Sequence, residues 1–303
     1  MTQDATPLER RYVGIAIAIG LVALVLSHLA PLWLLALGPL TLGVPHLLAD
    51  LRYVVVRQGL HRQRLWLLLA VVAMGIAALG LGVRATLTVM PLVALLCPGE
   101  WSRRLGIALG FAALAMLGWR VGQTADVVMG HAHNFIAIVL WIVWKKRTGG
   151  AHWLVLTVWL LGALALILVP LSDAALVAPV DGLRVNDLAR GLAPHVDPLW
   201  ATRWVVLYAY FQFLHYGIWL HLIPADDGAP LTFSALRRDL GLPLLVGTAL
   251  VALGLGAWGA IDLVAARTHY FQVAYFHGHL ELLAAPFLML RGVRLFLADA
   301  RDA

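Results

Sequence analysis

The sequence predicts an all-α protein, a polytopic helix bundle in a membrane, and three observations carry that reading. The 303 residues are 62% hydrophobic and only 13% charged, with a mean hydropathy of +0.87, far from the balance of an ordinary soluble domain. Apolar stretches near the length a bilayer requires, about 20 residues per helix, recur along the whole chain. Of the 22 lysines and arginines, all but Arg52, which falls within the second stretch, lie between those stretches or at their ends instead of along one face. The pI near 9.9 therefore reads as a topology signal and not as a nucleic-acid surface. No Gly/Ser-rich linker, long charge run or fixed-period repeat divides the chain, and residues 1–303 are expected to form one domain.

About ten transmembrane helices follow in order: 12–30, 31–56, 65–83, 85–97, 104–119, 121–144, 153–171, 200–223, 242–265 and 270–290. The first apolar run is too long for a signal-peptide core and has no clear cleavage site, so it is expected to stay as an uncleaved span. The second contains Pro45, which removes a backbone donor and is expected to kink the helix beside His46. The fourth is the shortest and holds Pro91. With the N-terminus in the cytoplasm, Arg10, Arg11, Arg57, Arg62, Arg64, Arg103, Arg104, Lys145, Lys146, Arg147, Arg237, Arg238, Arg291, Arg294 and Arg301 fall inside. Only Arg84, Arg120, Arg184, Arg190, Arg203 and Arg267 fall outside. That excess is what the positive-inside rule demands of ten helices with both termini cytoplasmic, crossing the inner (cytoplasmic) membrane as a multi-pass protein; an odd number would destroy it.

The longest connection, residues 172–199, lies on the outer side. There Val185, Leu188, Ala189 and Leu192 fall at helical spacing, which reads either as a short amphipathic surface helix or as a solvated loop with one helical turn. Tryptophans near span ends, Trp66, Trp119, Trp144, Trp153, Trp200 and Trp219, read as interface anchors.

Apart from His28 near the outer end of the first span, seven of the twelve histidines sit inside apolar spans: His46, His131, His133, His215, His221, His277 and His279. All lie on the even-numbered spans, which run from outside to inside. At about 1.5 Å per residue, all but His221 fall within about 12 Å of one another along the membrane normal. His221 lies nearer the cytoplasmic end. Carboxylates accompany them: His46 and Asp50 are four apart, as are His277 and Glu281, and Asp126 precedes His133 by seven, so each pair shares a helix face. Gln212 and Gln272 are spaced to face the cluster as hydrogen-bonding partners of His215 and His279. Ionisable groups within a span are costly and by default mark function.

This inventory points to a bound metal, with His46, His131, His133, His215, His277, His279, Asp50 and Glu281 as candidate ligands. Asp126, Gln212, Gln272 and His221 would support them. Neutral imidazole is the commonest metal ligand, and accompanying carboxylates favour iron over copper or thiolate-bound zinc. In "HAH" and "HGH" the two rings point about 200° apart on a regular helix, so both can reach one ion only if Gly130 or Gly278 lets the helix open. Otherwise one histidine of each pair ligates and the other supports it or bonds a neighbouring helix.

Three pieces carry a family resemblance. "GVPHLLAD", with Gly43, Pro45, His46 and Asp50, resembles the Gly-x-Pro-His-x-x-x-Asp element of the bacterial and archaeal membrane β-carotene dioxygenases of the Brp/Blh type. "YFQFLHYGIWLH" resembles their later aromatic-rich element through His215, and "GHAHNF" their middle histidine through His133. Trp219 stands where the family's later element has a second histidine, and "HGH" matches no element of it. The resemblance implies an iron-dependent oxygenase acting on a polyene.

The expected function is a membrane oxygenase that holds one or two non-haem iron ions and oxidises or cleaves a lipid-soluble substrate with O2, in contact with membrane lipid and without nucleic acid. A haem b electron carrier, which needs only two imidazoles at matched depth, is the alternative. An ion- or proton-coupled transporter comes third, since no inverted repeat is visible. A retinal Schiff base is excluded because the lysines, Lys145 and Lys146, sit at a helix end. Cys97, the single cysteine, excludes a Cys-rich metal site, and no P-loop or dinucleotide motif is present.

Overall fold

In the computed structural model the described residues, 7–144, 150–194, 196–226 and 231–291, are helical almost throughout and contain no strand. The helices are α1 (Pro7–Leu29), α2 (Pro31–Val56), α3 (Arg64–Ala78), α4 (Val83–Leu96), α5 (Trp101–Val121), α6 (Thr124–Trp144), α7 (Gly150–Leu168), α8 (Val185–Leu192), α9 (198–226), α10 (Phe233–Leu240), α11 (Leu242–Ile261) and α12 (Leu263–Arg291). Lys145, Lys146, Arg147, His195, Arg294, Arg301 and both chain ends lie outside the described residues, as do the side chains of Arg10, Arg11, Trp144 and Arg291.

Each expected span is occupied by helix. Six helical stretches, in α1, α2, α5, α6, α11 and α12, are long and apolar enough to cross a membrane, and apolar stretches in α3, α4 and α7 are shorter. Residues 198–226 belong to neither group, because tyrosines, Gln212 and histidines dilute their apolar character. Side chains such as Leu68, Leu250, Leu253 and Met116 stay exposed on the outer faces, as expected of helices that meet lipid.

Two helices depart from α geometry where the sequence places histidines. The second helix has π turns over Pro39–Gly43 and Leu51–Val56, on either side of the α segment Val44–Asp50 that carries His46. Pro39 and Pro45 offer no backbone donor, which frees the carbonyls a turn earlier to re-pair in the wider register. The expected kink is thus a pair of π turns. In α9 a third π turn, Ile218–Leu222, follows His215.

The core holds much of the tryptophan. Trp66, Trp141, Trp159 and Trp219 are fully buried, so Trp66 and Trp219 are core residues and not interface anchors. Trp66 packs edge-on against Phe287, at 5.8 Å between ring centroids. The indole of Trp159 donates to the carbonyl of Ala16 at 3.0 Å, joining α7 to α1. Trp119, Trp153 and Trp200 are exposed, in keeping with an anchoring role.

Two short amphipathic helices close the ends of the bundle. In α8, Leu188 packs with Leu183, Leu32 and Val205, so its apolar face docks on α2 and α9. Thr232 caps α10 by accepting from the Ala235 amide at 3.3 Å. That helix delivers Asp239 to Arg52, a fully buried arginine of α2, at 2.8 Å. Burial alone would raise the Asp239 carboxyl, but hydrogen bonds from Arg52 and Arg238 outweigh it and hold the group below its ordinary value.

Candidate metal centre

Four helices that are remote in sequence bring one imidazole each to a common point. His46 comes from the α segment between the two π turns of α2, His133 from the middle of α6, His215 from α9 just before its π turn, and His277 from α12. The Nε2 atoms of His46 and His215 lie 3.0 Å apart, and those of His133 and His277 lie 3.1 Å apart. Ring centroids are 4.5 Å apart for His46 and His215, 4.6 Å for His133 and His215, and 4.9 Å for His133 and His277. One ligand atom from each of His46, His133 and His215 can be chosen so that all lie within 4.8 Å of one another.

These separations suit a single ion held by His46, His133 and His215, with His277 beside them through its contact with His133. Two nitrogens each about 2.1 Å from a first-row metal and at right angles around it are about 3.0 Å apart, and opposite ones are about 4.2 Å apart. His46 and His215 are almost completely buried, as ligands in a dry site should be. The far nitrogens of two rings have neighbours: the Nδ1 of His133 lies 3.0 Å from the Glu281 carboxylate, and the Nδ1 of His277 meets the carbonyl of Ala274. The Ala274 contact would hold the Nδ1 of His277 as N–H and leave its Nε2 lone pair free for a metal, the arrangement by which outer partners orient metal-bound histidine, while the Glu281 carboxylate stands near His133 without a hydrogen bond to it. The Nδ1 atoms of His46 and His215 have no hydrogen-bond partner.

Asp50 does not bond His46, although the two share a face of α2. It is buried and turned toward Glu281, so two carboxyl groups from α2 and α12 face each other beside the imidazoles. Glu281 thus stands next to both His133 and Asp50, a position its sequence neighbours alone do not disclose.

Several other expected members are placed elsewhere. His131 points away from the cluster and lies 2.8 Å from the carbonyl of Leu192, the last residue of α8, where helix carbonyls lack an internal partner. His279 turns to Thr86 of α4, at 2.7 Å. Regular helical geometry separates the rings of each His-x-His pair, and both motifs lie in uninterrupted α-helix. The glycines serve differently: a Cβ added to Gly130 or Gly278 would meet nothing within 4 Å, and both line a cavity. His221 is exposed, its six-residue offset from His215 turning it about 240° around the helix, and Gln272 is exposed as well. Asp126 accepts from the Val83 amide at 2.7 Å and pairs with Arg84 at 3.3 Å, so it caps α4 instead of supporting His133. Gln212 is buried but donates to the Tyr216 hydroxyl, at 3.2 Å, and not to His215.

A cavity of about 130 Å3 opens beside the four histidines, between α6, α9 and α12. Tyr208, Tyr216, Tyr270 and Phe271 give it an aromatic wall, and half-exposed Tyr275 stands at its edge. Tyr270 reaches it by crossing α2 at Gly43, where any Cβ would collide with the tyrosine ring. Comparison of this chain with protein-family models, curated proteins and solved structures yields no match. The site must therefore be read from its own chemistry. Sequence reading missed Thr86, Asn134 and Tyr270 as site residues; for Tyr270 the paired signal was Gly43, one turn before His46.

Proposed function

We propose that the protein is an oxygenase of the cytoplasmic membrane that holds non-haem iron through His46, His133, His215 and His277 and acts on a lipid-soluble substrate with O2. The observation that supports this is the convergence of four imidazoles on one point, next to two carboxyl groups and a cavity. The proposal includes ten membrane-crossing helices with both termini in the cytoplasm, the short α3, α4 and α7 and the polar α9 being held in place by their neighbours.

Iron, when bound, would supply the redox chemistry that O2 needs to react with a closed-shell organic substrate. The remaining tasks fall to the chain. The Ala274 carbonyl fixes the tautomer of His277, and Glu281 and Asp50, the carboxylate side of the site, offset the charge of a divalent cation. The near-complete burial of His46 and His215 keeps bulk water from the reacting groups. The aromatic wall of Tyr208, Tyr216, Tyr270 and Phe271 offers an apolar substrate a surface at the metal's edge. Nε2 atoms that already meet in pairs at 3.0 and 3.1 Å favour an ion over the slot a haem b would need.

Elemental analysis and an absorption spectrum of the anaerobically purified protein test the reading. Stoichiometric iron without a Soret band is expected. A metal-free preparation with full activity, or a Soret band, would overturn it.

A further inference from the structure

Resting on the oxygenase reading, we infer that the substrate is a lipid bearing a hydroxyl or carbonyl oxygen, held by the Nε2–H of His279 and the side-chain amide of Asn134. It is not a plain hydrocarbon.

The argument begins with Thr86. Thr41, Thr88, Thr157, Thr202, Thr248 and Thr268 each donate their hydroxyl to the carbonyl four residues earlier. Thr86 is fully buried, and among the described residues its hydroxyl bonds only the Nδ1 of His279. A buried hydroxyl proton with one available acceptor goes to that acceptor. Nδ1 is then the acceptor, and the ring proton sits on Nε2.

That Nε2–H has no partner, although His279 is only 3% exposed and lines the cavity. On the same cavity wall Asn134, also 3% exposed, has an Nδ2 with no hydrogen-bond partner. Buried donors are normally satisfied, and two on one cavity wall ask for acceptor oxygens from a ligand.

Space and shape agree. Gly130 and Gly278 leave the cavity floor clear between the metal-facing and His279-facing sides of α12. A volume of about 130 Å3 holds only the oxygenated part of a lipid, so the rest of the chain must leave past Tyr275 toward the bilayer.

The test uses two polyenes of equal length, zeaxanthin with ring hydroxyls and β-carotene without, titrated into the iron-loaded protein in lipid nanodiscs and read by the absorption shift of the bound polyene. Wild-type protein is expected to bind zeaxanthin about tenfold more tightly, the worth of one or two buried hydrogen bonds. His279→Phe and Asn134→Leu should each erase most of that preference at unchanged iron content. Equal wild-type affinities, or a preference that survives in both variants, would overturn the inference. The wild-type comparison decides the matter even if a variant fails to fold. Protein that keeps the preference but takes up no iron in a ferrous titration would sink the oxygenase reading and leave this one standing.

Discussion

On α6 the pair His131 and His133, and on α12 the pair His277 and His279, are each separated by one residue, so each helix sends one ring into the bundle centre and the other away from it. His133 and His277 meet at 3.1 Å. The outward rings differ. His131 is bonded to a main-chain carbonyl and joins α6 to the end of α8, whereas His279 is bonded to a hydroxyl and keeps a bare nitrogen on a cavity wall. Identical spacing therefore yields an inward ring and a brace in one motif, and an inward ring and an unsatisfied donor in the other. What separates the two outward rings is the chemistry of the partner: a carbonyl absorbs the only N–H of a neutral imidazole, and a hydroxyl that donates leaves it unspent.

The comparison can be broken most forcefully at the inward rings. His133→Ala and His277→Ala are each expected to lower iron affinity by more than about 100-fold, beyond what loss of an outer hydrogen-bonding partner costs. His131→Ala should leave it unchanged, and iron content after dialysis against a chelator series measures all three. A change far from both motifs sharpens the contrast. Asp239→Asn removes the carboxylate paired with the buried Arg52 and should cost about 3 kcal/mol of stability, read by thermal unfolding in nanodiscs, at unchanged iron content. Because the folded Asp239 carboxyl is held low, the wild-type bond contributes fully above the ordinary carboxylate value of about 3.9 and is lost as pH falls through the folded value. The variant should therefore show less loss of stability on acidification than the wild type.

A smaller effect is expected at Glu281, which stands beside His133 without belonging to the imidazole set. Glu281→Gln should weaken iron binding by about 10- to 100-fold, visible in the same chelator competition. Smallest of all, His131→Phe should lower stability by about 1 kcal/mol, the worth of one hydrogen bond, and increase hydrogen exchange in α8.

The helical layout was legible because a span's length and apolarity are local properties: each of the ten stretches read from the chain is helix. The inward histidines His46, His133, His215 and His277 were legible too, since depth along a span follows from counting residues. Which ring of each His-x-His pair turned inward was not, because rotation about the helix axis is set by neighbours. His131 answers to Leu192 and His279 to Thr86, partners 61 and 193 residues away. His221 and Trp219 illustrate a second limit. Counting at 3.6 residues per turn fails across the π turn Ile218–Leu222, which Pro224 follows by two residues just as Pro45 follows the turn Pro39–Gly43. Asp126 was read by spacing as a neighbour of His133, but the exposed amide at the start of α4 claimed it.

Iron-edge X-ray absorption on the purified protein tests the central claim most directly. The account predicts imidazole scattering from three or four rings at about 2.1 Å, reduced by one ring in His133→Ala and unaltered in His131→Ala. A spectrum without imidazole scattering, or one that changes equally in both variants, would contradict it.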